Sequence, residues 1–528
     1  MFSMLSQIIK EEILAYIRSD AVRATEDTSR IHVDEIASRL AAFYERVRNI
    51  VDYREEHLLR KRFIHRVLRR RMVLNFEGSV AESIIKEIIR AGHLQNNSVS
   101  EAKIVEIENI LKNHDTLLAH LPKSSGKERD RVAAWLFGIT AHTIEENLFP
   151  PRRDTMLANI MYRTVKEKLT VRGTVLKEEA VDVQLFIAIQ RALLKTDEEQ
   201  LHYRLLKFMY PQWDTMGSEE CKVIAKDLPA LKKNIERLSK SSLAPYFFKL
   251  VNRYNTVFYV IGDLVDQLGG HKELEQLAEE PAQFEEEVRL VYDRRYKREK
   301  GRFNRLAFLS VLSFFISKIT IALAIEIPVE TYITRGFSWA STAVNIAFPP
   351  LLMLLIVASI RMPGERNFAL VLREARNTVA GDAERKYVID IPKKKGYLMR
   401  FVARSLYLAT FLVVLYLLAR LLFMFQFNTM NILVFVFFVS MVAATGVKIH
   451  NRAKELSLEA ERVTTASFLL DLIALPFIRI GRWIIAGLAK FNPLAVLINI
   501  LIEVPFQVVV EFLENFRGFI KSKKDEIV

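Results

Sequence analysis

The chain has 528 residues, 51% of them hydrophobic and 26% charged, and carries an excess of 14 positive charges. Up to Lys300 there are 49 Lys and Arg against 46 Asp and Glu, and after it 27 against 16, so the positive charge travels with the stretch that holds the long apolar runs. A single cysteine, Cys221, excludes an intramolecular disulfide and cysteine-based zinc or iron–sulfur centres, while 18 Gly and 15 Pro disfavour collagen-like, low-complexity and turn-rich all-β architectures.

Residues 1–20 place Leu5, Ile8, Ile9, Ile13, Leu14 and Ile17 on a helical period, with Lys10, Glu11, Glu12 and Arg18 interleaved. Acidic residues inside the apolar stretch argue against a secretory signal, so the N-terminal part is expected to stay in the cytoplasm. From there to Lys300 the pattern is helical almost throughout. Breaks are expected at 96–98, 122–126, Pro150-Pro151, Pro211, Pro245 and Gly269-Gly270. One long helix is expected from His32 to about Leu74. Another starts near Pro281 and meets no breaker before the first apolar run, so it can continue straight into a membrane.

Four stretches have the length that about 30 Å of hydrocarbon requires at 1.5 Å per residue. They are 306–325, which contains Lys318; 338–360, with Pro349-Pro350 near its middle; 401–425, with Arg404 and Arg420; and 428–447, which is uncharged. Proline removes a backbone donor, so a kink and freed carbonyls are expected in the second. Seven basic residues lie between Arg294 and Arg305, ten lie in 361–400 including Lys393-Lys394-Lys395, and four more lie in 448–464. The loops at 326–337 and around Gln426 hold one and none. The positive-inside rule then puts both termini in the cytoplasm, with two hairpins crossing and returning.

In the last 60 residues, helical projection from Asp471 and from Glu503 gives each segment one narrow polar stripe. Such helices lie in the headgroup plane, although Pro476 and Pro505 also permit a re-entrant path. An offset of 29 residues aligns the two prolines, Leu472-Ile473 with Leu501-Ile502, and Phe477 with Phe506, a weak internal repeat.

Signatures of chemistry are sparse. The Gly126-Lys127 pair lacks the rest of a phosphate-binding loop, and dinucleotide, esterase and zinc-protease motifs do not occur, so no enzyme, cofactor or metal is expected. His142 with Glu145 and Glu146 could put ligands on one helical face, but such groups are commonplace on a surface helix. The most pointed feature of the N-terminal part is the run Arg60, Lys61, Arg62, Arg66, Arg69, Arg70 and Arg71. On a helix Phe63, Ile64, Val67 and Leu68 bury one face and turn the cations outward. Such a face fits a solvated, salt-bridged surface or anionic lipid headgroups; nucleic acid is disfavoured, with no aromatic platform or recognition fold beside it.

Lys318 and Arg420 are the charges well inside the expected spans. Both lie toward the outer ends, where a long stem can snorkel to the interface, and no carboxylate falls inside the four stretches to complete a proton or sodium relay. The expected protein is therefore all-α: a cytoplasmic helical domain over 1–300, a first hairpin over 301–360, a basic loop over 361–400, a second hairpin over 401–447, and a linker with amphipathic interface helices over 448–528. Its expected role is that of a scaffold in a prokaryotic inner membrane, with anionic lipids and a protein partner or further copies of itself around it. The competing class is an oligomeric channel or transporter subunit in which Lys318, Arg420 and the Pro349-Pro350 kink line or gate a path.

Overall fold

The computed structural model describes residues 5–24, 29–33, 60, 63–69, 79–122, 126–334, 339–381, 386–392, 396–425, 427–458 and 465–490. The described chain is almost entirely helical, and four of its helices are long and apolar enough to cross a membrane. Before the first of these come α1 (Gln7–Ala24), α2 (Val80–Arg90), α3 (Ala102–Ala119), α4 (Gly126–Leu148), α5 (Arg152–Glu167), β1 (Leu169–Arg172), α6 (Glu178–Ala192), α7 (Glu198–Met209), α8 (Ser218–Ser239), α9 (Ala244–Leu268) and α10 (His271–Glu279). Their ends carry the expected caps. Ser79 accepts a hydrogen bond from the Glu82 amide at 3.1 Å and Asp197 one from the Gln200 amide at 2.9 Å, which satisfies a donor that the first turn leaves free. Gly269 closes α9 with φ +79°, a left-handed conformation that side chains resist.

Two apolar centres organise the outer part of this domain. One packs Phe63, Ile64, Val67 and Leu68 against α2, α3 and the end of α4. The other gathers α4, α7 and α8 around Trp135, Leu206, Trp213 and Ile235. The expected helix start at His32 is not where a helix begins: Arg30 bridges antiparallel to Ser100, and Val33 exchanges two hydrogen bonds with the Asn96 side chain at 3.0 and 2.8 Å. Residues 34–59 lie outside the described ones.

The third centre is the largest. It joins α1, α5, α6, α9 and the start of α11 (Pro281–Ile321) to residues that follow the first two apolar helices in sequence. Here the stretch expected as a basic loop is folded. Residues Glu365–Val379 form α13, whose Phe368, Val371, Ala375 and Val379 share one helical face and are buried in this core. Strand β2 (Tyr387–Asp390) then pairs parallel with β1, Leu169 opposite Tyr387 and Arg172 opposite Asp390. Gly173, at φ +89°, lets the strands close, because a Cβ there would overlap the Ile391 carbonyl oxygen.

The long apolar helices are α11, which runs unbroken for 41 residues out of the domain, α12 (Trp339–Ser359), α14 (Tyr397–Met424) and α15 (Thr429–Ala453). Phe314, Met353, Phe438 and Val442 form the core between α11, α12 and α15, whereas α14 leaves most of its large apolar side chains exposed. A last helix, α16 (Thr465–Lys490), packs along α15. Its Gly481 approaches so closely that a Cβ would overlap the Ser440 carbonyl oxygen. The polar stripe read from Asp471 therefore belongs to a helix seated against the mid-length of an apolar one, and the second member of the tandem, around Pro505, lies outside the described residues.

Candidate functional site: a buried ion pair among the apolar helices

Lys318 does not reach outward. Its side chain is 0% exposed and its Nζ donates to Oε1 of Glu326, which is 1% exposed. The expectation of a snorkelling lysine fails because its counter-charge lies eight residues further along the same helical path. On a regular α-helix those two positions would diverge by about 80°. Between them, at Ala322–Glu326, the backbone adopts a π-helical turn, and a second follows at Val329–Thr334. The wider turn rotates Glu326 back onto the face of Lys318; π segments of this kind concentrate at functional positions.

The pair is held from two further helices. Asn345 of α12, itself fully buried, donates Nδ2 to Oε2 of Glu326 at 3.0 Å, and the Lys318 ammonium lies 5.0 Å from the ring centroid of Phe438 on α15. Each buried charge thus meets an opposite charge and a second polar or π partner, the condition under which charge is tolerated in an apolar interior. Pro349 and Pro350 lie inside α12 and are buried. With no N–H of their own they cannot bond the carbonyls of Asn345 and Ile346, one turn earlier. The prolines expected as a kink therefore stand beside the polar cluster rather than apart from it.

The other candidates separate. Arg420 is exposed on α14. Of the basic run, Arg60, Arg66 and Arg69 are described, and Lys61, Arg62, Arg70 and Arg71 are not. Arg60 stacks on Phe149 at 4.7 Å and Arg66 on Phe63 at 5.5 Å, so both cover apolar rings, while Arg69 is exposed. Beside Arg60 and Arg66, burial and then their two charges push the His93 imidazole down to about 4. His142 and Glu145 meet at 3.3 Å, but Glu146 turns to Arg204 at 3.1 Å, and among the described residues no three metal-ligating side chains converge.

Glu326 is the residue that sequence reasoning missed. Counting about 20 residues from Leu306 closes the span at Ile325, one position short of the carboxylate. The available signal is the spacing: a lone cation and a lone acid two helical turns apart, flanked by apolar residues on both sides. Comparison of the chain with protein-family models, with curated proteins and with solved structures returns no match.

Proposed function

We propose that this protein is a multi-pass membrane scaffold: two helical hairpins anchor an α-helical platform at the cytoplasmic face of a prokaryotic inner membrane, where it receives a protein partner or further copies of itself. The observation that carries this reading is the incorporation of the segment between the hairpins, and of 455–458 after the second, into the core of the N-terminal domain. Asn367 is the knot. Its Nδ2 donates to the Leu456 carbonyl at 2.7 Å and to the Tyr292 hydroxyl at 3.0 Å, and its Oδ1 accepts from the Leu458 amide at 2.7 Å. Thr256 donates to the Glu455 carbonyl at 3.0 Å, and Lys195 pairs with Glu455 at 2.6 Å.

With α13 and β2 in that core, α11 leaves the domain, α12 comes back to it, α14 leaves and α15 returns. This path supports the same hairpin topology as the distribution of basic residues, and the excess of Lys and Arg around these returns favours the cytoplasmic side. A domain tied to its membrane segment at several points moves with it as one body. The Lys318–Glu326 pair is internally neutralised and braced from α12 and α15, which suits a clamp between helices better than a path for ions.

The test is flux through the full-length protein in sealed vesicles, with insertion verified by flotation. The scaffold reading expects ion and small-solute leakage no greater than from empty vesicles. Leakage abolished by Glu326→Gln would overturn it in favour of the channel class.

A further inference from the structure

Where the helical domain meets the apolar helices, a cleft of about 1200 Å³ opens. Its lining comes from both sides of the junction. Cations dominate its upper wall, and five of them are already engaged by acids. Arg153 and Arg295 bind Asp263 at 2.6 and 2.7 Å, Lys195 and Arg452 bind Glu455 at 2.6 and 3.1 Å, and Arg302 binds Glu299 at 3.1 Å. Two further cations, Lys448 near the end of α15 and Arg482 on α16, are exposed and make no ion pair or hydrogen bond among the described residues. The floor changes character: Leu306, Ala444, Val447 and Ile485 line it, at the point where the apolar stretch of α11 begins and that of α15 ends. The cleft is therefore amphipathic in the direction of the membrane normal that the four-helix reading implies.

We infer that this cleft seats the phosphate headgroup of an anionic phospholipid, with Lys448 and Arg482 on the phosphate and the acyl chains leaving over Leu306, Ala444 and Ile485. The chemistry fits at both ends. Two unengaged cations answer one phosphodiester with a second anionic or hydroxylated group, and the apolar floor has no use for a freely soluble phosphate. The paired cations are neutralised by their own acids and do not compete for the ligand. A lipid held there would fill the gap between platform and bilayer and act as a wedge that sets the platform's height.

This inference rests on the membrane-spanning reading, and the experiment separates the two. Full-length protein is reconstituted in phosphatidylcholine vesicles holding one-fifth phosphatidylglycerol, and flotation reports insertion. After extraction, native mass spectrometry counts the retained lipids by class, for the wild type, Lys448→Gln/Arg482→Gln, Lys448→Arg/Arg482→Lys and Arg420→Gln. The wild type is expected to retain phosphatidylglycerol over phosphatidylcholine. The Gln pair should retain about thirtyfold less, as expected when the attraction of two basic side chains for an anionic headgroup is removed, while the charge-keeping pair and Arg420→Gln stay near wild type. Excess inorganic phosphate should not displace the lipid. Equal retention of both lipid classes, unchanged retention in the Gln pair, or displacement by inorganic phosphate would each overturn the assignment. Failure to float would instead overturn the spanning reading on which it stands.

Discussion

Removing the carboxylate of Glu326 should cost more than removing the whole ion pair. In Glu326→Leu the Lys318 ammonium, 0% exposed, loses its counter-charge, and the Asn345 amide loses its acceptor. Stranding one member of a buried pair costs about 3–5 kcal/mol, and an orphaned buried amide donor adds about 1–3 kcal/mol. Lys318→Met leaves Glu326 with the Asn345 donor still in place, so its cost should lie at the lower end of the first range, about 3 kcal/mol. The double variant Lys318→Met/Glu326→Leu leaves no charge in the apolar core and should fall within about 1–2 kcal/mol of wild type. Equilibrium unfolding by SDS in mixed micelles, followed by tryptophan fluorescence, measures all four proteins on one scale. The coupling energy between the two positions should be about 3–6 kcal/mol. Additive single effects, with the double variant the least stable of the four, would refute the buried clamp.

Asn367→Leu breaks three hydrogen bonds at once and strands the buried Leu456 carbonyl and Leu458 amide, so about 3 kcal/mol of stability should be lost; trypsin should then cut at Lys454 far faster than in wild type, and unchanged proteolysis would contradict the knot. Burial holds the imidazole of His114, whose Nδ1 is hydrogen-bonded with the Thr140 hydroxyl at 2.7 Å, down to about 4 from its ordinary 6.5. Because the unfolded chain takes up that proton first, the stability tied to neutral His114 is full above pH 6.5 and is lost as pH falls toward 4, by up to about 3 kcal/mol. His114→Leu should flatten that part of the pH profile in thermal melts of the detergent-solubilised protein, and an equally steep profile would show that the acid sensitivity lies elsewhere. Gly481→Val cannot keep α16 against the Ser440 carbonyl, so the C-terminal segment should become protease-sensitive while α11–α15 remain protected. Protection equal to wild type would mean that this close approach is dispensable.

How much of the fold and the site is legible in the sequence depends on the range over which each interaction acts. The four apolar helices follow from local hydropathy and stand where it puts them. The continuity of α11 also follows from local sequence, because no proline interrupts it after Pro281 and Gly301 stands alone among good helix formers. The incorporation of 361–392 into the domain does not follow, since β1 and β2 are four-residue strands whose partners lie more than 200 positions apart, and the alternation of Leu169–Arg172 is too short to single out a strand. The spacing of Phe368, Val371, Ala375 and Val379 does announce an amphipathic helix, but ten basic residues in the same stretch point with equal force to a loop. Lys318 stands out in the sequence as an unusual charge, yet its burial does not, because a π turn that realigns two residues eight apart leaves no mark in composition.

On the proposed topology the N-terminal domain, the segment between the hairpins and the segment after the second hairpin share one side of the membrane, with the hairpin tips on the other. Single cysteines placed in a Cys221→Ala background at Lys177, Gly396, Tyr332 and Asn428, and labelled with a membrane-impermeant maleimide on intact cells, test this directly. The Tyr332 and Asn428 variants should label in intact cells, and the Lys177 and Gly396 variants only after permeabilisation. Labelling of the Gly396 variant in intact cells, or protection of the Tyr332 variant there, would contradict it.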